Sequence, residues 1–470
     1  MKNLIILLLL LSQFGYLRSQ TLEELSVKQL QEDFQVFRGQ LEKVHPGLYT
    51  YSSKEKLYGI FEEIKARLNE PMSQIDFYRA LLPILRPIGN NHTEIQAPDA
   101  YNEQLINDLP RFPFRLYHDK AKLYVLEDLS REQEIGVGAV ITRMNGRDIL
   151  EIFEEMKALY RVDGFNESSP NWALSVVFSR KYAQFFGTPT SYDLEYVDQK
   201  GKKKRTTISG IPQIELQEAA QNLKTPNLFG HGEKYQFKFI EDVAYLKIAS
   251  FQPEKARTYI SFLKDSFKKI KEKGSQKLIL DLRNNGGGYP EASYKLLAYL
   301  IKESIRPAIL EYAKVDKIED AQYYEKDFFF KHFHKQNLIW RNGRYEGKAA
   351  PKIQIKPEAL AFDGELIVLI NARSSSATGE LLGQIKTHTN ASFIGTEAGG
   401  NCVTQVASDL LTLVLPHSGI KVTLPAIKSL MRVNFENTGH GVQPDIEILP
   451  SVQDLWEERD VVLEKALEKG

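Results

Sequence analysis

The chain has 470 residues, of which 42% are hydrophobic and 26% are charged. A chain of this length exceeds what one compact core can organise and predicts two or three domains. Lys and Arg together number 61, as do Asp and Glu. The sequence therefore has no excess positive charge with which to bind a polyanion. This balance argues against a nucleic-acid partner.

Residues 1–20 have the pattern of a secretory signal peptide. Lys2 supplies one early positive charge, an apolar run follows over residues 4–11, and small or polar residues lead to Gln20. The run is too short for a membrane span, and no later stretch of about 18 apolar residues occurs. Because no cysteine lies near the expected cleavage point, a lipid anchor is not predicted. We expect a periplasmic or secreted protein.

Residue types that bind metals or form disulfides are sparse. Cys402 is the only cysteine, so no internal disulfide can form, and we predict a small buried hydrophobe rather than a catalytic thiol. His332 and His334 have a spacing that can bind zinc, but no Cys, Asp or Glu set completes a tetrahedral site. We predict no metal and no organic cofactor.

The first predicted domain, residues 21–105, is helical. Its apolar side chains recur at helical spacing until the His45-Pro46-Gly47 sequence breaks the pattern. The domain closes in a turn-rich loop, residues 89–93, which contains His92.

The second predicted domain, residues 106–212, consists of short alternating stretches typical of a small β-rich module. An apolar strand ends in the turn Asn145-Gly146 and leads into a helix over residues 149–159. The polar stretch 198–205 is predicted to be a solvated hairpin tip.

The third predicted domain, residues 230–460, alternates strands with helices. Such alternation indicates a mostly parallel sheet covered by helices, in an α/β fold. Strands are predicted at residues 243–248, 277–282, 366–370 and 392–395, with helices at 255–271, 292–301 and 379–387.

Two loops of this third domain have sequences suited to chemistry. One predicted strand ends in Gly286, Gly287 and Gly288, whose backbone can approach a substrate oxygen closely and direct N–H groups at it. Another leads through the sequence SSSATGE, residues 374–380, directly into a helix. A hydroxyl at the positive end of a helix, beside unpaired N–H groups, suits an acyl-transfer nucleophile. The alternative is that Ser374 and Ser375 simply cap the helix.

Four motifs in register carry a family resemblance: DLRNNGGG at 281–288, SATGE at 376–380, GTEAGG at 395–400 and GHGVQPD at 439–445. The chain resembles the C-terminal processing and tricorn-type serine peptidases. The sequences HPGLY at 45–49 and GNNHT at 89–93 are similar to the N-terminal segment of bacterial exported members. Residues 138–146 are similar to the PDZ-like module of those proteins.

The resemblance implies a crotonase-like (ClpP/crotonase) β-β-α core with an N-terminal helical domain and a PDZ-like module. It identifies Ser376 as the nucleophile, with Ser375 as the nearest competitor. The oxyanion hole would comprise the N–H of Ala377 and one from Gly286 or Gly287.

The same resemblance indicates the base. The processing-protease branch uses a Lys, which is absent from residues 397–402, so a Ser–Lys dyad is not expected. The tricorn-like branch uses a His from an earlier domain and a later Glu, which correspond to His92 and Glu436. The chain has Asn90 and Asn91 where that branch commonly has Asp-Gly. His440 is an alternative base.

Together these features predict an exported serine endopeptidase that cleaves peptides or unfolded protein segments through an acyl-enzyme on Ser376. The alternative is a non-catalytic protein of the same fold that binds a peptide or an apolar ligand, since relatives of the tricorn-like branch include retinoid-binding proteins. Acyl-CoA chemistry fits poorly with export. The sequence leaves homo-oligomerisation open.

Overall fold

The computed structural model describes residues 23–221, 233–325 and 338–469. The chain forms a mixed α/β fold with several sheets. The predicted signal peptide lies outside the described residues, and so do His332 and His334. Among the residues described, no helix has the length and apolarity needed to span a bilayer, and no group of His, Cys, Asp and Glu side chains could hold a metal ion.

Helices dominate the N-terminal part, as predicted. The first helix, α1 (Val27–Val44), starts with a capping box at Ser26 and buries Leu30, Phe34 and Phe37. It ends immediately before His45, where the sequence predicts the break. The following elements are α2 (Lys54–Arg67), α3 (Gln74–Leu81), a 3₁₀ turn (Leu82–Ile84), α4 (Leu85–Ile88) and α5 (Asp99–Asn107), with the short strands β1 (Glu24–Leu25), β2 (Met72–Ser73) and β3 (Glu94–Ile95).

The β-rich region is an antiparallel sheet of order β4-β5-β6-β8-β9, with β7 paired to β6. Asn145 and Gly146 both have positive φ, 51° and 75°, which confirms the predicted tight turn. The predicted hairpin tip is shorter than expected, because Lys203 already begins a strand. The elements are β4 (Phe114–Asp119), β5 (Lys122–Asp128), β6 (Val140–Met144), β7 (Arg147–Asp148), α6 (Ile149–Ala158), α7 (Ser168–Phe186), β8 (Ser191–Val197), β9 (Lys203–Ser209) and α8 (Gln213–Gln221).

The predicted parallel sheet is present, in the order β10-β11-β12-β16-β17-β20. Only β10 and β11 are antiparallel, and every other pair is parallel. Alternate side chains enter two cores: Leu278 and Leu280 face one, and Ile279 faces the other. The elements are β10 (Tyr235–Ile240), β11 (Val243–Ile248), α9 (Ala256–Lys273), β12 (Lys277–Asp281), α10 (Pro290–Leu297), β16 (Glu365–Ile370), α11 (Ala377–His388), β17 (Ser392–Gly395), β20 (Ile446–Glu447), α12 (Val452–Trp456) and α13 (Val461–Glu468).

A second, antiparallel sheet within residues 308–431 was not predicted from the sequence. Its order is β14-β15-β13-β19-β18, and the short N-terminal strand β3 pairs with β19. Asp33 in α1 is fully buried and accepts hydrogen bonds from the N–H groups of His417 (2.9 Å) and Ser418 (2.8 Å), between β18 and β19. The N-terminal helices therefore pack on this sheet. Its strands are β13 (Ala308–Ala313), β14 (Leu338–Arg341), β15 (Arg344–Gly347), β18 (Thr404–Val414) and β19 (Lys421–Met431).

Candidate active site

Ser374 and Ser375 hold together the two loops that follow β12 and β16. Ser374 is fully buried, and its hydroxyl donates to the carbonyl of Leu282 at 2.9 Å. The N–H of Ser375 donates to the carbonyl of Asn285 at 3.2 Å. The hydroxyl of Ser374 is thus engaged in the structure of the loop.

Ser376 occupies the N-cap position of α11 with φ 57° and ψ −127°. A positive φ is uncommon for a residue with a side chain, and such strain concentrates at functional sites. The side chain makes no capping hydrogen bond to the helix. Capping therefore does not explain this serine, and a strained turn between a strand and a helix presents a hydroxyl in the way that hydrolase nucleophiles require.

Two glycines allow other backbone segments to approach Ser376. A Cβ added to Gly287, whose φ is +98°, would lie 2.7 Å from Ser376 Cβ and 2.9 Å from Ala377 N. A Cβ added to Gly400 would lie 2.8 Å from Ser376 N. Both distances are shorter than van der Waals contact, so only glycine fits at either position. The structure therefore brings the predicted glycine loop against the predicted nucleophile.

Asparagine side chains fix this arrangement. The N–H of Asn284 donates to Asn371 Oδ1 at 2.9 Å, and Asn371 Nδ2 donates to Asn284 Oδ1 at 3.0 Å. Asn285 is fully buried, donates to the carbonyl of Ile248 at 3.0 Å and accepts from the N–H of Gly287 at 2.9 Å. The glycine loop is therefore held rigidly before any substrate binds.

The loop that carries His92 is held by a chain of buried hydrogen bonds. The N–H of Gly47 donates to His45 Nδ1 at 3.1 Å, so the His45 proton resides on Nε2, which donates to Thr93 Oγ1 at 2.8 Å. Thr93 donates to Asn90 Oδ1 at 2.7 Å, and Asn90 Nδ2 donates to the carbonyl of Val406 at 2.9 Å. Asn90 thus connects the loop to β18, although it departs from the residue common in the tricorn-like branch.

Burial and, to a smaller extent, the positive charge of Lys314 lower the pKa of His45 to about 3. An unfolded His titrates near 6.5, so its neutral form stabilises the fold fully above that pH and progressively less as the pH falls towards 3. We expect this residue alone to reduce the free energy of unfolding by about 2 kcal/mol between pH 7 and pH 5. Urea unfolding of the wild type and His45→Asn, which cannot titrate, should show a shallower pH dependence in the variant. Equal slopes would contradict the assignment.

His92 itself is partly buried, and its Nδ1 atom is buried with no hydrogen-bond partner among the described residues. Burial lowers the pKa of the imidazole, the carboxylate of Asp163 raises it, and the guanidinium of Arg161 lowers it. Because the net direction is downward, the ring is neutral near pH 7. A neutral imidazole is the form that can accept a proton.

Glu436 and His440 lie on the segment that follows β19. Glu436 is exposed. His440 Nδ1 lies 3.0 Å from Oε1 of the buried Glu397, which also accepts from the N–H of Gly441 at 3.1 Å. Glu397 could not be predicted from the sequence as the partner of His440, since 43 residues separate them.

Glu380 lies one helical turn after Ser376 and is buried in α11. Burial raises the pKa of this carboxyl group to about 7, and Tyr294 OH donates to Oε2 at 3.4 Å. Glu380 therefore changes charge near neutral pH, a short distance along the helix from the serine.

A separate cavity of about 810 Å³ opens at the carboxyl ends of the parallel strands, towards the β-rich sheet. Its lining includes Asn284, Asn371 and Trp172, but neither Ser376 nor Gly287. The cavity thus contacts two asparagines of the loops without including the proposed nucleophile in its lining.

Comparison with known families identifies the region that holds these loops. Residues 242–448 match the model of peptidase family S41. These residues, called the S41 domain below, are therefore similar to the serine-type peptidases of that family. Ser376, Gly286, Gly287 and Glu436 lie within the S41 domain, whereas His92 lies outside it.

Relatives of known name show the same similarity. A "Probable CtpA-like serine protease" of Staphylococcus aureus is 25% identical over 264 residues, which are 56% of this chain and 44% of that protein. The chain thus matches less than half the length of this curated relative. Mature CPAF, solved in complex with lactacystin, aligns with a TM-score of 0.64 at 15% identity, over 94% of this chain and 97% of that one. At this identity the likeness shows a shared fold, which here extends beyond the S41 domain.

Proposed function

We propose that the protein is a serine endopeptidase that cleaves peptides or unfolded protein segments through an acyl-enzyme on Ser376. The observation that carries the proposal is the conformation of Ser376. Its backbone is strained, its side chain does not cap the helix, and two glycines allow backbone segments to pack against it. A serine that served only to start a helix needs none of these features.

The proposed mechanism assigns roles to the predicted residues. His92 accepts the Ser376 proton as Oγ attacks the peptide carbonyl, and then delivers it to the leaving amine. The N–H of Ala377, at the start of α11, and that of Gly286 or Gly287 stabilise the oxyanion. Because the N–H of Gly287 already donates to Asn285 Oδ1, Gly286 is the better second donor. Water then attacks the acyl-enzyme and releases the acyl group from Ser376. Glu436 is the acidic residue that the resemblance to the tricorn-like branch assigns to the site.

The architecture supports this proposal at the level of domains. We assign a crotonase-like core to residues 230–460 and a PDZ-like module to residues 106–212, following a helical domain over residues 21–105. The antiparallel sheet β4-β5-β6-β8-β9 offers an edge to which an extended peptide can add as a strand. The signal-like residues 1–20 support export to the periplasm or the exterior.

Labelling with a fluorophosphonate probe tests the proposal. Attack by Ser376 Oγ forms an O–P bond and expels fluoride, so mass spectrometry of the purified protein should locate one adduct on Ser376. Ser376→Ala should abolish labelling and peptide cleavage, whereas Ser375→Ala should retain the adduct on Ser376. If the folded wild type fails to label, the non-catalytic binding protein becomes the better proposal, and an adduct on Ser375 would reassign the nucleophile.

A further inference from the structure

The connection between α6 and α7 touches three parts of the chain that are distant in sequence. The N–H of Gly164 donates to the carbonyl of Gly89 at 2.9 Å, and the N–H of Phe165 donates to the carbonyl of Gly439 at 2.7 Å. Asn166 Nδ2 donates to the carbonyl of Ala398 at 2.8 Å. This connection therefore joins the loop of His92 to two loops of the S41 domain.

Asp163 is the acidic residue of this connection, and it is 7% exposed. Its Oδ1 accepts from the N–H of Asn91 at 3.0 Å, and its Oδ2 accepts from the N–H of Asn401 at 3.3 Å. Arg161, the nearby cation, pairs instead with Glu94 at 3.4 Å. Two neutral N–H groups orient the carboxylate. Its negative charge is therefore not neutralised by a direct ion pair with Arg161.

One of these two hydrogen bonds ends next to the proposed base, and the other ends next to a glycine that packs against the proposed nucleophile. Asn91 directly precedes His92. Asn401 directly follows Gly400, where an added Cβ would lie 2.8 Å from the backbone N of Ser376. One buried carboxylate thus fixes the loop of His92 relative to the loop that packs against Ser376.

The chemistry of the proposed base requires such a group. When His92 takes the Ser376 proton, both ring nitrogens become donors, and Nδ1 is buried with no partner among the described residues. An imidazolium in this position is stabilised by a nearby negative charge. The carboxylate of Asp163 lies near enough to raise the pKa of His92, and the guanidinium of Arg161 has the opposite effect. Glu436, by contrast, is exposed, where solvent and salt weaken its field.

We propose that Asp163 is the positioning residue of the active site, which holds His92 towards Ser376 and stabilises the imidazolium formed during acylation. This role rests on the proposed function, because it has meaning only if Ser376 is acylated with His92 as base. It adds a residue from the β-rich region to a site that the S41 domain does not complete by itself.

The test is the rate constant of Ser376 labelling by the fluorophosphonate as a function of pH, in the wild type and Asp163→Asn. Circular dichroism of both proteins checks that they are folded, so that the rate constant reports on the active site. We expect a reduction of about 100-fold in the variant. The acidic limb of its pH profile should move to lower pH, because losing the negative charge lowers the pKa of His92. Asp108→Asn, an exposed change at the end of α5, should match the wild type.

A double variant separates positioning from general destabilisation. If Asp163 acts through His92, Asp163→Asn should have no further effect in a His92→Ala background. An unchanged pH profile and rate constant in Asp163→Asn, or full additivity in the double variant, would overturn the inference while leaving the proposed function intact. Labelling that persists in Ser376→Ala would instead overturn the proposed function.

Discussion

Replacing Gly287 with alanine is expected to reduce the rate of Ser376 labelling by about 1000-fold while the protein remains folded. The added Cβ would lie 2.7 Å from Ser376 Cβ and 2.9 Å from Ala377 N, so the glycine loop and the nucleophile cannot both keep their positions. Loss of one oxyanion donor costs about 100- to 1000-fold, and displacement of the nucleophile adds to that loss. The kinetics of fluorophosphonate labelling measure the rate, and circular dichroism checks that the variant is folded.

Gly274→Ala is the matched control. Gly274 ends α9 with φ +70° and has no atom within 4 Å of an added Cβ, so alanine there meets the same kind of backbone strain without a clash. We expect its labelling rate to equal that of the wild type. If Gly287→Ala also labels at the wild-type rate, the close approach of Gly287 to Ser376 is not required for acylation.

The second large effect is on stability: Asp281→Ala is expected to lower the free energy of unfolding by about 3–5 kcal/mol. Asp281 is 2% exposed at the end of β12, where its Oδ2 accepts from Tyr245 OH at 2.7 Å. It also pairs with Arg283 at 2.7 Å, and Arg283 pairs with Asp460 at 2.6 Å. Removing Asp281 leaves a largely buried guanidinium with half of its counter-charge and a buried tyrosine hydroxyl without its acceptor.

Urea unfolding followed by tryptophan fluorescence measures this loss. Glu272→Ala is the control, because Glu272 pairs with Lys268 at 3.6 Å on the exposed surface of α9, and such pairs contribute about 0.5 kcal/mol or less. A decrease below about 1 kcal/mol in Asp281→Ala would show that the ion-pair network does not hold β12 and its glycine loop in place.

The local elements were predictable because their signals are local. The break after Val44 follows from a proline, which restricts the backbone, and the Asn145-Gly146 turn follows from residues that tolerate positive φ. The apolar runs of β12 and β16 identify strands buried on both faces, and the alternation with helices identifies a parallel sheet. The position of Ser376 between such a strand and a helix was predictable for the same reason.

The antiparallel sheet β14-β15-β13-β19-β18 and the surroundings of His92 were not predictable in this way. Strand β3 has two residues, too few for a pattern, and exists because β19 pairs with it. The sequence around His45 does not indicate that its side chain is deeply buried. The cost of burying the imidazole is compensated by a hydrogen bond to Thr93, 48 residues away.

The sequence by itself predicted which loops are candidates for the chemistry, because the glycines at 286–288 allow backbone conformations that few other residues adopt. Only the tertiary structure decided which acidic side chains meet the histidines. Asp163 lies 71 residues from His92 in the chain, and Glu397 lies 43 residues from His440. No periodic pattern in the sequence identifies the partner of a carboxylate. Asp163 lies near His92 because the connection between α6 and α7 packs against the S41 domain.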